Sequence, residues 1–366
     1  MSSTVPTSEV ELLDNELDAD LRATVRSFLA EHCAPADVVK AYDGDSSLTP
    51  VLWKGLASEL GLAGLLIPES YGGAGASARE AAVVLEELGR AVAPVPFLTS
   101  SVVATSVLLA GPTEAGAELL AGLASGERTA ALAVSLATTT VQPLEPVETE
   151  IRSVAGALEA DTLLVPVRTL DGIEIRAVPA DRATIAPVSS LDMTRQLADV
   201  TLDPAAGEVV VAAEHGAEGV RSGLLAGAAL MASEQVGVAQ WCLTTTVEYL
   251  KVRRQFGRIV GGYQALKHRL ADLYTNVEGA GAAARYAAGA LALGDAKETE
   301  IATHVAAAYC GDLAVTAAEE AVQLHGGIGM TWEHPAHLYL KRAKADQIAY
   351  GLPGLHRDRL GALVDI

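Results

Sequence analysis

The chain has 366 residues, 50% of them hydrophobic and 20% charged, enough to bury a large core and, by length, to form two or three domains. Lys and Arg number 26 against 46 Asp and Glu, and the formal net charge of −20 repels polyphosphates and anionic bilayers, which argues against nucleic acid or a membrane surface as partner. Cys33, Cys242 and Cys310 are widely spaced and odd in number, a pattern of reduced buried thiols and not of a disulfide frame or a metal cage.

The first stretch, "MSSTVPTSEVELLDNELDADL", is acidic and lacks the basic head and apolar segment of a secretion signal. No uninterrupted apolar run reaches the ~18 residues that span a bilayer. The expectation is a cytoplasmic protein.

From about Glu11 to Glu127 the segments "LRATVRSFLAEHC", "VLWKGLASELG", "AREAAVVLEELGRAV" and "AGAELLAGLASG" carry apolar residues at three- and four-residue spacing and predict helices. In the third, Ala82, Leu85, Leu88 and Val92 form one stripe, with Glu86, Glu87 and Arg90 expected to face away. "IPESYGGAGAS" between helices reads as a loop. From about Thr129 to Val211 the pattern changes to short β-branched runs, "AALAVSL", "TLLVPVRT", "IEIRAVP" and "ADVTLD", broken by Asp, Gly and Pro. Helix then returns in long pieces. One is rich in small residues up to "VEYLKVR", and one places Leu266, Leu270, Leu273, Tyr274 and Val277 on one face. The third, "IATHVAAAYCGDLAVTAAEEAVQL", is largely alanine and should lie inside a bundle. The resulting fold class is α+β, mainly α, with expected domains at residues 1–128 (helical), 129–215 (small β) and 216–366 (helical bundle).

Three segments carry a specific likeness: "LWKGLASELGLAGLLIPESYGGAGAS", "YLKVRRQFGRIVGGYQALKHRLADL" and "QLHGGIGMTWEHPAHLYLKRAKADQIAYG". Together they resemble the acyl-CoA dehydrogenase superfamily, over nearly the whole chain. The resemblance implies an N-terminal helical domain, a central β domain and a C-terminal four-helix bundle around FAD. It also implies a reaction in which a glutamate removes the α-proton of a CoA thioester while hydride passes to the flavin. Such a base must be a carboxylate in a dry site, with the developing enolate oxygen held by hydrogen bonds. By the same resemblance Arg253, Gln255 and Phe256, with Gln264 close by, match positions that touch the FAD diphosphate and adenosine side. Gln323, Gly326 and Gly327 match a QxxGG turn that reaches the FAD of a neighbouring subunit. An Arg fork suits a diphosphate, and paired glycines let backbone approach a cofactor. Read without the family, Arg253 is a solvated helix charge and Gly326–Gly327 a helix C-cap.

Two departures alter the meaning. Tyr350 stands where the family's base is expected, and a phenol of pKa ~10 is a poor proton acceptor at neutral pH. The other position from which relatives supply the base aligns with about Gly227, leaving Glu234 and Glu248 as the nearby carboxylates, Glu248 reading as a partner of Lys251. The flavin-ring segment of catalytic members is replaced by "AVSLATTTVQP", in which Ser135 and Thr138 to Thr140 are the remaining donors.

The pattern resembles the shorter, non-catalytic subunit of the α2β2 acyl-CoA dehydrogenases of actinobacteria that act on steroid-derived thioesters. In that reading FAD is shared at an interface with a longer homologous subunit. Two alternatives stand beside it: a homomeric dehydrogenase with Glu234 or Glu248 as a relocated base, and a flavin-free scaffold. His325, His334, His337 and Glu333 lack the spacing of a zinc pair, and His334 and Glu333 read as a cap of the next helix. Trp53, Trp241 and Trp332 read as core or interface aromatics, and Asp192 and Arg195 as either a domain-bridging pair or a solvated turn.

Overall fold

The computed structural model describes residues 10–142 and 149–365. Its helices are α1 (Glu16–His32), α2 (Pro35–Val38), α3 (Leu48–Lys54), α4 (Ala78–Ala91), α5 (Thr105–Leu108), α6 (Glu114–Ala124), α7 (Ala213–Val252), α8 (Gln264–Leu293), α9 (Ala296–His325), α10 (Ala336–Ile348) and α11 (Pro353–Leu363). A buried π-helix, Phe97–Ala104, runs directly into α5. Between α6 and α7 lie β1 (Ala130–Leu132), β2 (Glu150–Ala155), β3 (Thr162–Arg168), β4 (Ile173–Pro179), β5 (Thr184–Val188), β6 (Leu197–Thr201) and β7 (Glu208–Val211). A hairpin of β8 (Arg254–Gln255) and β9 (Arg258–Ile259) joins α7 to α8.

The strands form two sheets, ordered β1-β3-β4-β7 and β2-β6-β5, with β1 and β3 parallel and the other pairs antiparallel. Alternation along a strand decides what each sheet face meets. Ala131, Ala133, Leu163 and Val165 point into a core shared with Ile151, Val154, Ala198 and Val200 of the second sheet. Ala130, Leu132 and Leu164 belong to the helical core on the opposite face. The first sheet is therefore a middle layer. "AALAVSL" is strand only from Ala130 to Leu132; the chain then bends, and Leu136 N–H donates to the Ser153 carbonyl at 3.0 Å.

Capping boxes start α1 at Asn15 and α4 at Ser77, where Glu80 accepts from the Ser77 N–H at 2.8 Å. The outward face expected for Glu86 and Glu87 is wrong: both are buried, Glu87 accepting from Arg26 at 2.7 Å and Arg22 at 3.2 Å on α1. The apolar stripe of α4 is present, but the helix is covered on both sides, by α1 and by α7. Its crossing with α7 is made possible by glycine on both helices. A Cβ on Gly89 would stand 2.1 Å from the Glu234 carbonyl, and one on Gly237 only 1.9 Å from that of Glu86.

α9 is long and apolar enough to cross a membrane by composition alone, but 67% of that stretch is buried inside the protein. On α8, Leu273 and Val277 are buried while Tyr274, expected on the same face, is 57% exposed, one residue past the stripe. At the far end of α9 the ring of His304 meets His356 of α11, Nδ1 to Nδ1 at 2.8 Å, both rings buried. Burial, then the facing His356, lowers His304 to about 4, and burial also lowers His356. The folded state thus binds fewer protons than the unfolded one below pH ~6.5, so this contribution is complete above that pH and is lost as pH falls toward 4. Each such group steepens the loss by at most ~1.4 kcal/mol per pH unit. Urea midpoints should therefore drop between pH 7 and pH 5, less so in His304→Phe; a midpoint flat across that range would refute the pairing.

Candidate functional site

Tyr350 follows the last turn of α10 in a left-handed conformation (φ 55°), with its N–H donating to the Leu136 carbonyl at 2.8 Å. Its ring is 6% exposed and packs on Gly227 of α7, where an added Cβ would lie 2.8 Å from Tyr350 Cζ. The two positions at which sequence reading placed a possible base therefore touch each other, and neither bears a carboxylate. The cavity around them, lined by Thr99, Val103, Leu132, Ser135, Leu136, Leu224 and Tyr350 among others, has about 20 Å³, room for a water and nothing larger. Burial raises the Tyr350 phenol well above its ordinary range. Two hydroxyls of the neighbouring loop accept from its own backbone. Thr139 Oγ1 accepts from the Val141 and Gln142 N–H groups at 3.1 and 3.3 Å, and Ser135 Oγ accepts from the Ala137 N–H at 3.4 Å.

Behind Tyr350 lies a buried ion cluster. Glu234 on α7 accepts from Arg195 Nη2 at 2.7 and 2.6 Å and from Arg342 Nη1 on α10. Arg342 Nε donates to Asp192 at 2.6 Å and its Nη2 to Thr194 at 2.6 Å, while Arg195 Nη1 donates to Asp346 at 2.6 Å. The solvated turn considered for Asp192 and Arg195 is thereby overturned. Both bridge to the helices, though their partners are Arg342, Glu234 and Asp346 and not each other. Burial pushes the Glu234 carboxyl up, but the two guanidinium groups pull it down further, below its usual range. Burial pushes Asp346 up to about 8 against the pull of Arg195. A neutral Asp346 leaves two cations facing two anions, a balance that a low-dielectric site favours. Glu248, by contrast, is exposed and pairs with Lys251 at 2.6 Å.

The remaining predicted residues gather at one end of the bundle. Arg253 ends α7, and Gln255 and Phe256 sit on the hairpin; Gln264 opens α8, Gln323 lies in the last turn of α9, and Gly326–Gly327 follow it. Stacking of Tyr249 on His325, ring centroids 4.5 Å apart, and a 2.5 Å bond from Arg269 to Glu320 hold the three helix ends together. All seven residues are exposed, Phe256 to 89%. Among the described residues no side-chain hydrogen bond reaches Arg253, Gln255 or Gln323, and Gln264 meets only His268, at 3.4 Å. Gly326 has φ 64° and ψ −140°, a conformation that requires glycine, and added Cβ atoms at Gly326 and Gly327 would touch nothing within 4 Å. Next to them His334 accepts from the Ala336 N–H at 3.3 Å and so caps α10. Among the described residues no three His, Cys, Asp or Glu are grouped to hold a metal ion.

Family models for the acyl-CoA dehydrogenase N-terminal domain and C-terminal domain match residues 15–127 and 214–364. Acyl-CoA dehydrogenase IpdE2 of Mycolicibacterium smegmatis is 37% identical over 347 residues, which take in 94% of this chain and 97% of that one. The chain belongs to the acyl-CoA dehydrogenase family. Acyl-CoA dehydrogenase FadE34 of Mycobacterium tuberculosis is 34% identical over 322 residues, 87% of this chain but 43% of FadE34. Among solved structures, the ChsE4-ChsE5 complex from Mycobacterium tuberculosis superposes with a TM-score of 0.84 at 26% identity, covering 97% of this chain and 99% of that one. A point variant of the Tcur3481-Tcur3483 steroid ACAD gives 0.82 at 27%, covering 96% and 98%.

The acyl-CoA dehydrogenase family uses FAD, and the two ends of that cofactor fare differently here. A flavin ring and a thioester do not fit beside Tyr350, where 20 Å³ is open. The other end has room for a diphosphate: an Arg with no side-chain partner among the described residues and an open glycine pair face solvent there. Sequence reading reached only part of the ion cluster, Asp192 and Arg195 as one of two readings, and missed Arg342 and Asp346. The ion pairs that close it join residues 39 to 151 apart, and only "DMTR" and "KRAKAD", charges set in apolar surroundings, mark the segments that meet.

Proposed function

We propose that this chain is the non-catalytic subunit of a heteromeric FAD-dependent acyl-CoA dehydrogenase. It lends Arg253, Gln255, Phe256, Gln264, Gln323, Gly326 and Gly327 to the diphosphate and adenosine end of an FAD whose ring is held by a longer homologous subunit. The observation that carries this is the filled space at Tyr350: no carboxylate stands where the base and thioester would meet, and the cavity there holds only about 20 Å³. Glu234 is no substitute base, because two arginines hold it as an anion of depressed basicity, and Glu248 faces solvent away from Tyr350. The same chain keeps exposed donors, Arg253 and Gln255 among them with no side-chain partner among the described residues, on an otherwise strongly acidic protein, which suits an anionic group brought by a partner.

The comparisons favour a paired assembly. Two of the structures that match are of two-component proteins by name, one of them a steroid ACAD. FadE34 leaves more than half its length outside the match, enough for a second copy of the fold. We infer an α2β2 arrangement and a CoA thioester of a bulky, steroid-derived acid, α,β-dehydrogenated on the partner. In the complex, this chain's residues orient the cofactor and exclude water from its phosphate end; proton abstraction falls to the partner's carboxylate. When bound, the flavin supplies the hydride acceptor.

Tyr350→Phe tests the reading. A general base contributes roughly 10²–10⁴-fold to rate, so dye reduction by the complex should change less than about two-fold if Tyr350 only packs. A loss of about 100-fold or more would show that the phenol takes part in the chemistry.

A further inference from the structure

Separate from the Tyr350 cavity, a cleft of about 530 Å³ opens between the N-terminal helices and the β-sheets. Trp53 of α3, Pro96 ahead of the π-helix, and Leu158 and Glu159 of the β2–β3 turn line it, with Thr49 and Gln196. Thr129, just before β1, lines this cleft, and Leu132 at the end of β1 lines the Tyr350 cavity, so the two sites are distinct.

The lining is unusual in charge. Among the described residues it holds Glu127, Glu159 and Asp161 and no Lys, Arg or His. Asp161 is occupied, accepting from Thr129 N–H and Oγ1 at 2.9 and 3.0 Å. Glu159 is different: it is half-buried, and among the described residues no other residue offers its carboxylate a hydrogen bond or an ion pair. Burial raises it to about 7, against its own backbone N–H and a distant pull from Arg195. A half-buried carboxylate that lines a cleft and has no protein donor of its own is free to accept one from a ligand. Trp53, also half-buried, lines the same cleft, and its indole N–H is sealed from solvent. An indole and a carboxylate in one concave site make a receptor for a cation, and the volume is that of a small-molecule pocket. Anions, the phosphates of a CoA thioester included, are repelled.

We propose that this cleft binds an organic cation, an amine carried on an aromatic or alicyclic body, with Glu159 taking the ammonium group and Trp53 and Leu158 packing on the body. The site is separate from the flavin role and does not depend on it.

The test uses the full chain labelled with 5-fluorotryptophan, alone and in its complex. The protein has three tryptophans, so three ¹⁹F signals are expected, and Trp53→Phe assigns the one at the cleft. With 1-naphthylmethylamine as probe the Trp53 signal should shift saturably at sub-millimolar concentration. 1-Naphthoate, of the same shape and opposite charge, should bind at least about ten-fold more weakly, and Glu159→Gln should weaken the amine by a similar factor. A Trp53 signal unmoved at about 5 mM amine, equal binding of naphthoate, or an affinity indifferent to Glu159→Gln would each overturn the proposal. Unchanged fluorine spectra of Trp241 and Trp332 in Glu159→Gln establish that the variant is folded.

Discussion

Arg342→Met should destabilise the chain by about 3–5 kcal/mol, among the largest effects of any single substitution in it. The guanidinium is fully buried and bonds Asp192, Thr194 and Glu234 at once, and its removal leaves three carboxyl groups facing Arg195 alone. Loss of hydrophobic contact is a small part of this, since methionine retains most of the stem. The cost arises from uncompensated charge in a site that water does not reach. An intact buried ion pair often adds little net stability over an apolar pair of the same shape. The prediction is therefore asymmetric: Asp192→Asn combined with Arg342→Met should recover part of what Arg342→Met loses. Urea denaturation followed by near-UV circular dichroism checks this, because Trp241 stacks on Tyr339 of α10 at 3.5 Å and reports on the same helix. A shift below about 1 kcal/mol for Arg342→Met would mean that the cluster is not closed as described.

Arg253→Ala should leave this chain's fold unchanged and strip FAD from the complex. Arg253 is exposed and makes no side-chain bond among the described residues, so nothing in the subunit itself is lost. A hydrogen bond to a charged group contributes about 1.5–3 kcal/mol, which corresponds to roughly 10–100-fold weaker FAD. Dilution of the complex followed by flavin fluorescence measures it. Arg152→Ala, at an exposed arginine paired with Glu150 on β2, serves as the control of equal charge change. Equal FAD retention in Arg253→Ala and control would favour the flavin-free scaffold.

Much of the fold was legible because its signals are local. Period-3.6 runs marked the helices, β-branched runs the sheet segments, and the small-residue helices their close packing. What failed did so at contacts between distant segments. Glu86 and Glu87 read as outward because α4 alone has one apolar stripe, and nothing local reveals that Arg22 and Arg26 of α1 will cover the other side. Asp192 and Arg195 read as either a bridging pair or a turn because their partners lie in α7 and α10. Tyr350 was legible as a packing residue in place of a carboxylate, but the space it packs into was not. That it fills the space over Gly227 depends on a positive φ and on the return of the Leu136 loop, and neither is written in the tyrosine itself.

The central claim is that this chain supports a flavin it cannot hold by itself. The direct measurement is the flavin absorbance per polypeptide of the chain expressed alone, and again co-expressed with a family member that carries a carboxylate at the position of Tyr350. The account predicts a colourless protein alone, and a yellow, dye-reducing complex with one FAD for every two chains. A yellow protein that reduces dye with an acyl-CoA on its own, carrying one FAD per chain, would contradict it.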